Sequence, residues 1–463
     1  MKVIIENLGV LKKAKFEIGD LTVICGFNNT GKTYATYALF GFLQNWRRFM
    51  RTAVTKKEIS ELLNDGATKI DLTRHANKAK NILLQGCESY TQQLPRIFAS
   101  DSKHFKETRF QVKLEPDLEL ILSREVERKI RSRKSEILSL DKPVGESKLV
   151  VSLLADTEKI ELPTRIIKDT ISDALVEIIF GQYFPKPFIA SAERTGVAIF
   201  SKELDFARNR LLEEMGRADN VDPVELLLKS YNDYAWPVRA NVDFTRRTAD
   251  ITKEDSFIAS DHSQILDEFT DIIGGEYVSG SNNSIHFKPS GKSLKLTMGE
   301  SSGAVRSMLD IGSYLRHQAK EGDLLMVDEP ELSLHPENQR RVARLFARLI
   351  NLGIRVFITT HSDYIIKELN TLIMLKQDKP YLKRIAEEEG YQSEELVDPE
   401  RVRVFVAEQS FFETGSRNRR GDWHQTLNEA EVSHNLGIDA RSFDRTINKM
   451  NEIQEAIIWG EEE

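Results

Sequence analysis

Residues 25–34 read CGFNNTGKTY, in which Gly26, Gly31, Lys32 and Thr33 meet the spacing G-x-x-x-x-G-K-[ST]. Such a loop turns backbone N–H groups towards phosphate oxygens, its lysine reaches the β and γ oxygens, and its hydroxyl faces Mg²⁺. Phe27, Asn28, Asn29 and Thr30 fill the loop interior; amides do the holding, so the larger side chains are free to point outwards. Mg²⁺ needs a further hard oxygen ligand beside Thr33, and residues 324–330, LLMVDEP, supply one in Asp328 at the end of an apolar run. Glu329, the next residue, is placed to polarise an attacking water as a general base. A second apolar run, residues 355–360, ends at His361, expected to hydrogen-bond the γ-phosphate. Alone, the acids read as solvated strand-end carboxylates and the histidine as a packed or surface residue. The upstream loop makes the chemical reading the better one.

These groups meet only if particular elements hold them. Residues 22–25 are apolar and β-branched, as a buried strand requires, and residues 34–40 open a helix, giving strand, loop and helix in order. Residues 324–328 and 355–360, with a helix between them, are expected to lie as parallel strands with their carboxyl ends on one rim. Residues 300–309, ESSGAVRSML, open another helix; Ser302 and Gly303 present a hydroxyl and backbone N–H groups to an anion, or Ser302 simply caps its own helix.

Elsewhere, residues 3–5, 14–18 and 21–24 read as strands, and 187–190 as a strand before SAERTG, where Arg194 has the bland reading of a structural ion pair. Polar helix is expected from Trp46 and Lys56, strands at 109–112 and 118–122, and a charged helix at 124–134. Leu204, Leu211, Leu212, Leu226, Leu227 and Leu228 suggest helices across 201–274, and a turn at 280–284 separates strands 276–278 and 285–287. After Leu375 one strand, 402–406, precedes polar and helical material.

The chain has 463 residues, too many for one ordinary core. With 65 basic and 72 acidic residues and a net charge of -7, nothing pulls it as a whole towards nucleic acid. Cys25 and Cys87 are its only cysteines, which argues against a disulfide framework. No stretch approaches the ~18 apolar residues of a membrane span, so a soluble, cytoplasmic protein with no membrane partner is expected.

These motifs, in this order, resemble the ABC-type ATPases of the RecF, Rad50, SMC and OLD kind over roughly residues 1–45, 183–200 and 285–375. Residues 26–33 match the Walker A, 301–305 a degenerate signature motif, 324–329 the Walker B, 333–336 the D-loop, and His361 the switch histidine. The sequence departs from the family's signature at Ala304 and Val305. The resemblance implies an α/β fold, an ABC-type P-loop ATPase head with a mixed sheet flanked by helices, large helical insertions and a C-terminal extension. The implied divisions are 1–45, 46–182 (inserted), 183–200, 201–284 (inserted), 285–375 and 376–463 (interaction region). It further implies ATP and Mg²⁺ as cofactors, with catalytic Lys32, Glu329 and His361. Nucleotide contacts would come from Gly26, Asn28, Asn29, Thr30, Gly31, Lys32 and Thr33, with Ser302 and Gly303 acting in trans across a homodimer of heads within a larger oligomer. AERTG at 192–196 and DEPELSLHP at 328–336 look like the ATPases of prokaryotic anti-phage systems, closest to the ATPase component of the PARIS system. That resemblance implies a sensor and scaffold that controls a separate effector, a nuclease or toxin, under a phage-derived trigger. The alternative is a DNA-acting head, with Arg124, Arg128, Lys129, Arg131, Arg133 and Lys134 contacting phosphates.

Overall fold

The computed structural model describes residues 1–132, 135–154, 164–200, 234–247, 251–280, 284–413, 421–439 and 441–459. They form two compact units. The larger comprises Val3–Gly41, Leu94–Arg109 and Lys186–Glu463; the smaller comprises Met1–Lys2, Phe42–Gln93 and Phe110–Pro185.

The larger unit is built on a mixed sheet. Its strands, in chain order, are β1 (Lys2–Leu8), β2 (Leu11–Glu17), β3 (Leu21–Gly26), β4 (Pro187–Ala190), β5 (Leu324–Asp328), β6 (Arg355–Thr360), β7 (Val402–Glu413) and β8 (Gly421–Ala430). They lie in the order β1-β2-β8-β7-β3-β6-β5-β4. From β7 to β4 every neighbour pair is parallel, and β8 returns antiparallel to β7. Strands covered on both faces need continuous apolar runs rather than alternation, and β3 and β5 are buried at every position. On one face Leu21, Val23, Cys25, Leu325, Val327, Val356 and Ile358 join a single core with α2 (Gly303–His317), α3 (Pro336–Asn351) and α4 (Asp363–Leu375). Phe16, Phe357 and Phe405 cluster from three strands, with ring centroids 6.2 and 6.1 Å apart. This is the α/β architecture expected from the motifs, a mixed sheet flanked by helices.

The smaller unit mixes helices with a four-stranded antiparallel sheet, ordered Ala67–Asp71, Lys148–Leu153, Ser135–Lys142, Val126–Ser132. Lys142 is buried there and donates to the carbonyl oxygens of Leu122 (2.7 Å), Arg124 (2.5 Å) and Pro143 (3.1 Å).

Three local expectations are corrected. Residues 118–122 are not a strand but part of helix Leu118–Ser123; the Asp117 carboxylate caps it by accepting from Glu119 N at 2.9 Å, and leucine favours helix. The basic run is not a helix: Val126–Ser132 is a strand whose Val126, Arg128 and Ile130 pair with Lys142, Leu140 and Leu138. Lys129 there faces Glu136 at 3.3 Å; Arg133 and Lys134 lie outside the described residues. After Val406 the chain does not turn helical but continues as β7 and β8 in the main sheet, before helix Arg441–Trp459. The expected hairpin is present as Gly275–Ser279 paired with Ile285–Pro289, whereas the leucines at 204–228 lie outside the described residues. No helix among the described residues is long and apolar enough to cross a membrane.

Candidate functional site

β3 delivers the chain to Gly26 at φ +137°, where a Cβ would stand 2.6 Å from the Ala407 carbonyl oxygen of β7. Only glycine fits both that backbone and that approach. Gly31, at φ +98°, is held the same way, since a Cβ would meet Leu11 at 2.6 Å. Between them Phe27, Asn28 and Asn29 are exposed, as the outward-pointing reading requires. Thr30 is buried and its hydroxyl donates to the Phe27 carbonyl at 2.7 Å. Helix α1 (Lys32–Phe49) starts immediately after, so its free N–H groups and positive dipole end face the loop.

Lys32 is buried and folded back: its Nζ donates to the carbonyl oxygens of Gly26 at 2.9 Å and Phe27 at 2.8 Å. Burial lowers its pKa, while the charges of Glu329, Asp328 and Glu331 work the other way. An arriving phosphate would exchange two neutral acceptors for charged ones, a stronger class of hydrogen bond.

Asp328 ends β5 fully buried. Its Oδ1 accepts from the Thr359 hydroxyl, the Thr33 hydroxyl stands near enough to favour the charged carboxyl, and Oδ2 is buried without a partner among the described residues. Burial pushes its pKa up to about 6 against the pull of those two hydroxyls. A buried oxygen with no donor, beside a threonine hydroxyl, suits a hard cation. Among the described residues no group of three or more His, Cys, Asp or Glu forms a metal cage.

Glu329 takes the left-handed conformation, φ +53°, and its N–H donates to the Thr359 carbonyl at 3.1 Å. A non-glycine residue held there is strained, and such strain collects at functional positions. His361 stands at the end of β6 with its ring half exposed and its Nδ1 3.8 Å from Glu329 Oε1. Lys32, Thr33, Asp328, Glu329 and His361 thus converge on the rim formed by the carboxyl ends of β3, β5 and β6. Ser302 caps α2, accepting from Val305 N at 3.3 Å. A Cβ on Gly303 would meet Ser333 Oγ at 2.9 Å, which brings the start of α2 against the turn after β5.

Several contributors were not assigned from sequence. Among the described residues the hydrogen bonds of buried Arg194 go to no carboxylate but to the carbonyl oxygens of Ser307 (2.7 Å), Ser191 (2.8 Å), Asp328 (2.7 Å) and Glu329 (2.8 Å). Glu193 accepts from the Tyr37 hydroxyl at 2.6 Å. Tyr34, Tyr37, Phe98 and Phe105 line a cavity of about 550 Å³ that also reaches Thr33, and Tyr34 and Phe98 stack at 5.4 Å. Phe98 and Phe105 carry no spacing signal that ties them to the loop. Cys25 belongs to the core, and burial pushes its thiol up to about 12, which leaves it inert at neutral pH.

A family model described as an AAA ATPase domain matches residues 1–173 and 228–366 of this chain. Among solved structures, the chain is similar to an Smc head domain with an extended coiled coil, bound to the C-terminal domain of ScpA, from Pyrococcus furiosus. The identity is 14%, with 98% of each chain covered and a TM-score of 0.32. It is also similar to an SmcHead bound to the C-winged helix domain of ScpA, at 11% identity over 93% of this chain and 98% of that one, TM-score 0.33. The SMC head domain from Thermotoga maritima matches at 11% identity over 93% and 98%, TM-score 0.28. No curated protein matches the chain.

Proposed function

This chain belongs to the AAA ATPase domain family, and on that premise we propose that the rim of β3, β5 and β6 binds ATP with Mg²⁺ and hydrolyses it. The observation that carries the reading is the buried Asp328 carboxyl, whose Oδ2 has no partner among the described residues, across the rim from a lysine folded over the glycine loop. When bound, Mg²⁺ would neutralise β and γ oxygens between Thr33 and Asp328. Lys32 swings from the loop carbonyls to the phosphates, Glu329 orients and deprotonates the attacking water, and His361 contacts the γ-phosphate. The adenine of the nucleotide would lie against Tyr34 and Phe98, which line the cavity that reaches Thr33. Ser302 and Gly303 of a second copy complete the site, so the working form is a dimer of heads.

In its biological setting the ATPase is a sensor and scaffold of an anti-phage complex that controls a separate effector, a nuclease being the favoured kind. AERTG and DEPELSLHP support this reading. Two measurements test it at separate levels. Phosphate release dependent on Mg²⁺ and ATP tests the chemistry, and its absence in purified protein overturns the hydrolytic role. Phage plating on cells with wild-type or Lys32→Ala protein, together with the genomic neighbour, tests the setting. Protection that survives Lys32→Ala would sink the sensor role while leaving the chemistry standing.

A further inference from the structure

The turn that follows Glu329 carries a second carboxylate whose position the hydrolytic scheme does not use. Glu331 is buried, and its Oε1 accepts from the Thr360 hydroxyl at 2.9 Å and from the His361 backbone N–H at 2.8 Å. The His361 ring places Nδ1 3.2 Å from that same oxygen, closer than the 3.8 Å to Glu329 Oε1. Thr360 is committed in both directions, since its oxygen also accepts from Ser362 N at 3.0 Å. Ser362 in turn caps α4 and donates to Gln339 Oε1 at 2.5 Å. Glu331 therefore sits at the head of a chain of bonds running from the turn after β5 to the starts of α3 and α4.

An ionised carboxylate only accepts, so a contact with Nδ1 is a hydrogen bond only if Nδ1 carries the proton. We infer that Glu331 is a positioning residue that fixes His361 with Nδ1–H turned to its Oε1, leaving Nε2 as the ring nitrogen available to the nucleotide. A ring so held has a definite consequence. Neutral, it offers the γ-phosphate a lone pair at Nε2, which phosphate cannot use; it donates there only as the imidazolium. Glu331 thus fixes which ring nitrogen faces the nucleotide, and a ring so turned donates to the γ-phosphate only when both of its nitrogens carry protons. A carboxylate that merely tied the turn to β6 would need only the backbone N–H and the Thr360 hydroxyl, and would leave the ring free to flip.

The consequence for turnover rests on the ATPase reading above, whereas the ring state does not, and the two fail separately. The protein labelled with ¹⁵N-histidine, without nucleotide, is examined by NMR, with His361→Gln used to assign the ring. The expected wild-type result is a protonated Nδ1. A wild-type ring protonated at Nε2 alone overturns the inference, whatever the ATPase assay gives. Glu331→Gln, whose amide oxygen can still accept all three donors, is expected to keep Nδ1–H. Glu331→Ala is expected to lose it and to lower kcat on the order of ten- to a hundred-fold with little change in ATP affinity, the scale seen when the outer partner of a functional histidine is removed. Glu331→Ala with an unchanged ring signal and wild-type kcat also overturns it. If Glu331→Ala fails to fold, the wild-type and Glu331→Gln spectra decide.

Discussion

Arg194 grips Asp328 by its backbone rather than its carboxyl: Nη1 lies 2.7 Å from the Asp328 carbonyl oxygen, and Nη2 lies 2.8 Å from that of Glu329. One guanidinium thus pins two successive residues of the acidic turn, with Ser191 and Ser307 held by the same group. Its fan of donors suits four acceptors on separate segments, which a lysine ammonium cannot span. Arg194→Met should destabilise the fold by at least about 3 kcal/mol, because it leaves several buried carbonyls unpaired. Arg194→Lys should recover only part of that loss. Urea unfolding of the two variants checks it, and a change within error for Arg194→Met would refute the clamp.

Lys32 and Glu329 should separate binding from chemistry. Lys32→Ala removes a charged donor to phosphate, and ATP affinity should fall by about ten- to a hundred-fold. Glu329→Gln keeps shape and backbone preference but removes the base, so kcat should drop about 10²–10⁴-fold with affinity retained. Equilibrium binding of a fluorescent ATP analogue beside single-turnover hydrolysis resolves the two. Equal losses of binding in both variants would contradict the assigned roles.

A site shared between two heads predicts complementation. Ser302→Arg and Glu329→Gln should each be nearly inactive alone. Mixed and re-equilibrated in equal amounts, they should recover about a quarter of wild-type turnover, because half the dimers then hold one intact site of two. No recovery from subunits proven to exchange would argue against action in trans.

Asp328 sets a pH dependence. Burial raises its folded pKa to about 6, against about 3.9 for an ordinary aspartate. An acid raised in this way lends the fold stability below its ordinary pKa, and that contribution is lost as pH rises through about 6. Asp328→Asn, neutral throughout, should therefore melt above the wild type at pH 8 without Mg²⁺, with the gap closing towards pH 4. A gap of constant size would show that burying the Asp328 carboxyl does not cost the fold stability at high pH.

The residues proposed to meet phosphate were legible from sequence because that chemistry would fix their types and their distances from strand ends. Gly26, Lys32, Thr33, Asp328 and His361 stand where that reasoning put them relative to β3, β5 and β6. The supporting groups were not legible. Glu331 looks like any acid in a turn until the chain folds its carboxylate under His361, and for Arg194 the sequence offers only the bland ion-pair reading because carbonyl partners leave no trace in it. Residues 118–122, LELIL, satisfy both a strand's alternation and a helix's composition, and only the Asp117 cap decides. The strand β7 was cut short at Val406 because its second half, AEQSFFE, loses the apolar run once it is no longer covered on both faces.

The insertion of β7 between β3 and β8 carries a consequence for biosynthesis. β3 and β2 follow each other in the chain, yet β3 finds its neighbour on that side only in residues 402–407, almost four hundred positions later. Loop closure over such a span is slow, and an unpaired central strand is a template for aggregation. On the ribosome, the segment that ends in the glycine loop must wait with one edge open until Val402–Glu413 has emerged. The glycine loop at 26–31 thus gains the strand on that side of it late in synthesis.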